Sequence, residues 1–183
     1  RNGASTAAQT TAELAPVAPV TITTASGIRV HGIQTGWISL KNAHYRLQVP
    51  GSLRFPSIVA DTSWTQPKPI LSWVIEHPEG LIIIDTGERA GAKDLNTYVT
   101  CADPGNHFFI TRNFKVNVES ESELKPQLVK LGLAPTDVRW VIQTHLHFDH
   151  ANGFDFFPKA EVLVSKAELS GHRTQPVGAL SCL

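Results

Sequence analysis

Residues 144–150 read Thr144-His145-Leu146-His147-Phe148-Asp149-His150, which puts three imidazoles and one carboxylate into six consecutive positions from His145 to His150. A shuffled chain of this composition would show H-x-H-x-D-H about once in two thousand trials, so histidine content alone does not explain the cluster. Neutral imidazole nitrogen and carboxylate oxygen are ligands for zinc and its divalent neighbours. The competing reading is a histidine-rich loop whose rings are satisfied by ordinary hydrogen bonds. It crowds four titratable groups behind the apolar run Val138-Arg139-Trp140-Val141-Ile142 with no cation to balance them, and the metal reading is the stronger. If extended geometry continues past Ile142, His145 and His147 point the same way while Leu146 and Phe148 turn into the core. Asp149 and His150 then leave the strand and are placed to serve a second ion.

A scaffold must hold these groups, and the flanking sequence supplies one in alternating pieces. Residues 21–24 and 28–33 read as the first strands, and 42–69, with its four prolines, reads as loop. Residues 70–77 and 81–84 flank Pro78-Glu79-Gly80, a hairpin signal, and the second run is apolar enough for burial on both faces. Residues 87–117 mix glycine, asparagine, aspartate and aromatics, and Phe108-Phe109-Ile110 within them reads as a strand or a pocket wall. A helix follows, with Ser122 as N-cap, Pro126 in the first turn, Leu124, Leu128 and Leu131 on one face and Gly132 as the stop. Residues 138–142 form the strand that delivers the histidines, 161–164 form another, and a short helix starts at Lys166. Strand, helix, strand, site, strand, helix is α/β order.

Composition narrows the function classes. The 183 residues are 42% hydrophobic and 17% charged with zero net charge, which suits one globular domain. No run of Lys or Arg invites a nucleic acid or an anionic membrane, and no apolar run is long enough to span a bilayer. A small-molecule substrate is the expectation. Cys101 and Cys182 form no metal-type pair, and a disulfide between them stays open. Residues 1–20 are rich in Ala, Thr and Pro without periodicity and read as a flexible leader to a domain over 21–183. Such a leader suits export to the periplasm after signal-peptide removal, and cytoplasmic residence stays equally open.

Three features together resemble the metallo-β-lactamase superfamily of metal-dependent hydrolases over residues 70–166. They are the apolar strand ending in Asp85-Thr86-Gly87, the helix and strand that follow it, and His145, His147, Asp149 and His150 themselves. The motif with Ala151-Asn152-Gly153 behind it, and Val164-Ser165-Lys166-Ala167-Glu168 further on, is most similar to the N-acyl-homoserine lactonase branch, whose members open lactones used as quorum signals. The resemblance implies an αβ/βα sandwich, four layers of α+β type within the broad α/β class, of which this chain supplies mainly the first half. It also implies two divalent ions, zinc first, with iron, manganese or cobalt as alternatives. His145 and His147 would hold the first ion, and Asp149 and His150 the second. A hydroxide bridging the ions would attack a lactone or ester carbonyl, with Asp149 also catalytic through its hydrogen bond to that hydroxide. Asp85 would stand behind a ligand imidazole and fix its tautomer.

Members of the family carry further His and Asp ligands downstream, whereas here only Asp155 and His172 follow His150. The chain is therefore expected to be the amino-terminal part of a longer hydrolase. An isolated half-sandwich would expose an apolar sheet face and be unstable or oligomeric, a homodimer being one such outcome. A β-lactam, a thioester, or a phosphate or sulfate ester is the alternative substrate, and a non-catalytic metal-binding domain the alternative class.

Other signals carry plainer readings. Asp85-Thr86-Gly87 also matches the aspartic protease motif, but that leaves the histidines unexplained. Ser122-Glu123-Leu124-Lys125 has S-x-x-K spacing where a helix cap is expected. His31, His44, His77 and His107 read as surface or satisfied residues, and His172 as an exposed helix residue. Trp37, Trp73 and Trp140 read as packing aromatics. Trp64, Phe108 and Phe109 have packing as one reading and the wall of an acyl pocket as the other.

Overall fold

The computed structural model describes residues 17–46, 48–99 and 104–174. The leader up to residue 16, Cys101, Cys182 and the side chain of His172 lie outside the described residues. The elements run β1 (Val20–Thr23), β2 (Arg29–Leu40), α1 (Ala43–Arg46), α2 (Gly51–Ala60), β3 (Lys68–His77), β4 (Gly80–Ile84), α3 (Leu95–Tyr98) and α4 (Pro104–Asn113). They continue with β5 (Phe114–Asn117), α5 (Leu124–Lys130), β6 (Val138–Ile142), α6 (Phe148–Ala151), β7 (Glu161–Leu163) and α7 (Lys166–Thr174).

The strands form one mixed sheet in the order β1-β2-β3-β4-β6-β7, with β5 paired to β2. Strands β1 to β4 form an antiparallel meander, with short links from β1 to β2 and from β3 to β4 and with α1 and α2 between β2 and β3, whereas β4, β6 and β7 run parallel because helices fill their crossovers. Alternation in β3 sends Ile70, Ser72 and Val74 inward and Leu71 and Trp73 outward. On the inner face Ile33, Val74, Ile83 and Val141 are sealed by Leu124 and Leu128 of α5, all of them fully buried. Each such aliphatic side chain contributes about 1.5–3 kcal/mol on burial. Gly132, at φ +76, ends α5 in the left-handed conformation that glycine adopts freely.

Among the described residues, the outer face across β3, β4, β6 and β7 carries an exposed apolar row. Register pairs Trp73 with Ile84, Ile84 with Ile142 and Ile142 with Leu163, so one row of large apolar side chains crosses four strands. Trp73 is 44% exposed, Ile142 36% and Leu163 44%. Strand β4 is thus sealed on one face and only half-buried on the other, short of the burial on both faces expected from its composition.

Three local expectations change. Residues 42–69 hold two helices, and α2 keeps Pro56 inside it because Ile58 is buried and Phe55 stacks on Phe109 at 5.1 Å, packing that overrides the proline signal. Phe108-Phe109-Ile110 lies in helix α4 rather than a strand, with Phe109 and Ile110 on its buried side. Glu123, not Ser122, occupies the N-cap of α5, while Ser122 is the buried last residue of a 3-10 turn.

The parallel pairing of β4 and β6 decides where chemistry can occur. Both strands finish at the same edge, so the segment after Ile84 and the segment after Ile142 emerge side by side, the usual place for ligand crevices in parallel sheets.

Candidate metal centre

Asp85 leaves β4 with φ +58, a left-handed conformation that aspartate tolerates better than most residues, and its N–H donates to the Ile142 carbonyl at 3.0 Å. That turn aims the carboxylate across the β6 end. Asp85 Oδ1 accepts from the Thr144 backbone N–H at 2.9 Å, and Oδ2 accepts from the Thr144 hydroxyl at 2.7 Å and from His150 Nδ1 at 2.8 Å. The Gln143 amide, oriented as its neighbours require, adds a donor to Oδ1 at 2.9 Å. Burial alone would push this carboxyl up, but the bonds from His150 and Thr144 outweigh it and hold the group below the usual carboxylate range. Gly87, next in the turn, has φ +72, and a Cβ there would meet Thr35 Oγ1 at 2.4 Å. Only glycine fits.

Beyond Ile142 the chain is irregular rather than extended, and α6 begins at Phe148 with His147 as its N-cap. Leu146 and Phe148 are buried as expected, and the imidazoles converge on the other side. The His145 ring centroid lies 4.6 Å from that of His147 and 4.0 Å from that of His150. Asp149 Oδ2 stands 3.6 Å from His150 Nε2. Asp85, His145 and His150 bring one ligand-capable atom each within 4.8 Å of one another. The hydrogen bond between Asp85 and His150 Nδ1 leaves Nε2, beside Asp149, as the free ring nitrogen. His145 Nδ1 lies 3.0 Å from the Thr144 hydroxyl, which donates onward to Asp85, so the same carboxylate sets the tautomer of both rings.

Electrostatics separates the two rings. Burial, with His150 and His147 alongside, lowers the pKa of His145. Burial also opposes charge on His150, but the Asp85 bond and the Asp149 charge outweigh it and raise that ring.

His145, His147, Asp149 and His150 form one wall of a cavity of about 390 Å³. The other walls are Ile38, Leu40, Ile110, Phe114 and Phe148, with His44 and Tyr45 also lining it. An apolar chamber with polar groups at one end suits a ligand with an apolar portion and one reactive polar group. The three aromatics expected to line this chamber are elsewhere. Trp64 belongs to a separate cavity of about 260 Å³, and the ammonium groups of Lys41 and Lys115 stand 4.2 and 4.1 Å from its ring. Phe108 is half exposed, and Phe109 packs with Ala43 and Ile58 behind the wall. Compact, separately spaced aromatics gave no sign of which faced the cavity. His44, expected to be an ordinary surface or satisfied ring, lines it with Nε2 buried and unpartnered.

Residues 65–175 match the profile of the metallo-beta-lactamase superfamily. The chain belongs to that superfamily. The matched stretch of this metallo-beta-lactamase superfamily chain contains both halves of the site, Asp85 and the histidine cluster. The N-acyl homoserine lactonase AttM of Rhizobium johnstonii is 33% identical over 101 residues, which are 55% of this chain and 35% of that relative. An N-acyl homoserine lactone hydrolase solved with N-hexanoyl-L-homoserine at its catalytic metal centre superposes with a TM-score of 0.61 at 18% identity, covering 91% of this chain and 56% of that one. The dizinc lactonase AidC superposes at 0.54 and 17% identity, over 86% of this chain and 48% of its own. The chain thus spans about a third of the curated relative and about half of the solved structures, and the structural likeness establishes the metallo-beta-lactamase fold.

Proposed function

We propose that this chain carries the metal-binding part of a hydrolase that opens a lactone ring, with N-acyl homoserine lactones as the substrate class. One observation carries the reading: three imidazoles and the Asp149 carboxylate meet at the end of a cavity whose remaining walls are mostly apolar, His44 and Tyr45 being the exceptions. The donor set fits divalent ions, since nitrogen and oxygen ligands of this kind suit zinc and also iron, manganese and cobalt. His145 and His147 would hold one ion, and Asp149 and His150 a second. A bound divalent ion would lower the pKa of water toward about 7 and polarise a carbonyl oxygen.

The chain's own residues have separable tasks. Asp85 holds His150 in the tautomer that presents Nε2 and, through the Thr144 hydroxyl, does the same for His145. Asp149 presents an acceptor oxygen beside His150 Nε2, where it can hold and orient a water proton. Ile38, Leu40, Ile110 and Phe114 would take an acyl chain and exclude bulk water from the reacting carbonyl. The relatives named as N-acyl homoserine lactonases favour this substrate over a β-lactam, a thioester, or a phosphate or sulfate ester.

Lactone opening releases one proton, so a pH-indicator assay with zinc-, iron-, manganese- or cobalt-loaded protein tests the proposal directly. Turnover of N-acyl homoserine lactones that is lost in H147A and D149N is the expected result. Metal-dependent turnover of β-lactams, thioesters or phosphate esters with none of lactones would move the substrate class. Absence of any metal-dependent turnover would sink the enzyme reading.

A further inference from the structure

Glu88 is 1% exposed, the most deeply buried acid among the described residues, and the chemistry proposed above does not use it. Its Oε1 accepts from the Arg89 backbone N–H at 2.7 Å, the Tyr98 hydroxyl at 2.9 Å and Asn152 Nδ2 at 2.9 Å, and its Oε2 accepts from Asn152 Nδ2 at 3.0 Å. These bonds join the turn after β4, helix α3 and the end of α6. Neither Glu88 nor Asn152 lines the cavity.

Helix α6 has four residues, two of which are Asp149 and His150. One turn of helix has almost no stability of its own, so its pose must be imposed from outside. At His150 the carbonyl accepts from Thr86 N–H at 2.7 Å and from the Thr86 hydroxyl at 3.1 Å. Asn152 is the C-cap, with its N–H on the Phe148 carbonyl, and Glu88 grips its side chain.

We propose that Glu88 is a positioning residue for the second metal position: through Asn152 it fixes α6, so that Asp149 and His150 are presented together. The proposal rests on the reading that those two residues hold an ion. Burial raises the Glu88 carboxyl to about 8, against the pull of its hydrogen bonds and with the Asp149 charge adding to the rise. At neutral pH the group therefore places little negative charge behind Asp149.

The test uses E88Q and N152A, singly and combined, in the full chain. E88Q keeps the side-chain shape but replaces one acceptor oxygen with an NH2 that cannot accept, and N152A removes only the recipient. Amide hydrogen exchange without metal reports the pose of α6, and stepwise Zn2+ dissociation against a competing chelator reports each metal position. Each single variant should speed exchange over residues 148–153 and weaken one of the two zinc ions about 10- to 100-fold, sparing the other. The double variant should lose no more than the worse single one, because the two side chains act in series. Unchanged exchange in both single variants overturns the proposal, as do additive effects. Equal loss of both ions with a general fall in melting temperature overturns it in favour of bulk structural support. If E88Q does not fold, N152A alone decides. Wild-type protein that takes up no Zn2+ overturns the metal reading and the metal half of this proposal, while the exchange experiment still decides whether Glu88 holds α6.

Discussion

Asp85 and His150 lie 65 positions apart in the chain and 2.8 Å apart in space, joined by a hydrogen bond from imidazole Nδ1 to a carboxylate that also receives the Thr144 hydroxyl. One side chain thereby governs two prospective metal ligands. Asp85→Asn keeps the shape but puts an amide nitrogen or a weaker acceptor against those donors. Zinc affinity should fall about 10- to 100-fold, measured by chelator competition, and Thr144→Ala should show a smaller loss confined to the His145 side. Unchanged affinity in D85N would remove the tautomer role.

Stability should carry the signature of Glu88 on the alkaline side. The folded carboxyl sits at about 8 against an ordinary 4.5, so folding is favoured by its protonated form. That contribution is complete below pH 4.5 and is lost as pH rises to about 8, at no more than about 1.4 kcal/mol per pH unit. Urea midpoints of the wild type at pH 5 and pH 9 should therefore differ more than those of E88Q. Parallel pH profiles for the two proteins would show that the carboxyl titrates normally.

Gly87→Ala should destabilise the chain by at least about 1–3 kcal/mol, because an Ala at φ +72 is strained and its Cβ meets Thr35 Oγ1 at 2.4 Å. Adding Thr35→Ala should recover the steric part and leave the backbone part. Denaturant midpoints decide the matter, and a wild-type midpoint for G87A would mean that the turn relaxes.

The row Trp73, Ile84, Ile142, Leu163 predicts self-association of the isolated chain, homodimers included. Sedimentation velocity should show W73K more monomeric than the wild type at equal concentration. A monomeric wild type would show that the apolar row alone does not drive association.

The parts of the molecule with strong periodicity or punctuation were legible without coordinates. Alternating β3, the Pro78-Glu79-Gly80 hairpin, the Leu124 and Leu128 face of α5 and the strand into the histidines all lie where their patterns put them. Helices α1, α2 and α4 were not, because α2 keeps Pro56 inside it and is held by Phe55 and Ile58, contacts that have no local signature. The histidine cluster announced itself by spacing, and Asp85 through the family resemblance carried in part by the strand that ends in it. Glu88 and Tyr98 were silent, and Asn152 was noticed only as a flank of the histidine motif: polar residues scattered from 88 to 152, they become a network only when β4 and β6 pair. The pocket aromatics failed for a similar reason, since Trp64 and Phe108 have the right chemistry and face elsewhere.

The parallel contact between β4 and β6 also sets an order of events. Most of what would hold the metal-binding side chains comes from residues 85–88 on one side and 143–153 on the other, with α3, α4, β5 and α5 threaded between them. Parallel pairing across such a span is slow, because the loop must close before any contact repays it. An ion offered to the nascent chain finds His145 and His150 without their shared carboxylate, and Asp85 reaches them only after the sheet has closed. If the proposed site takes up an ion, capture at full strength is therefore a late event, and its time course can serve as a clock for completion of this sheet.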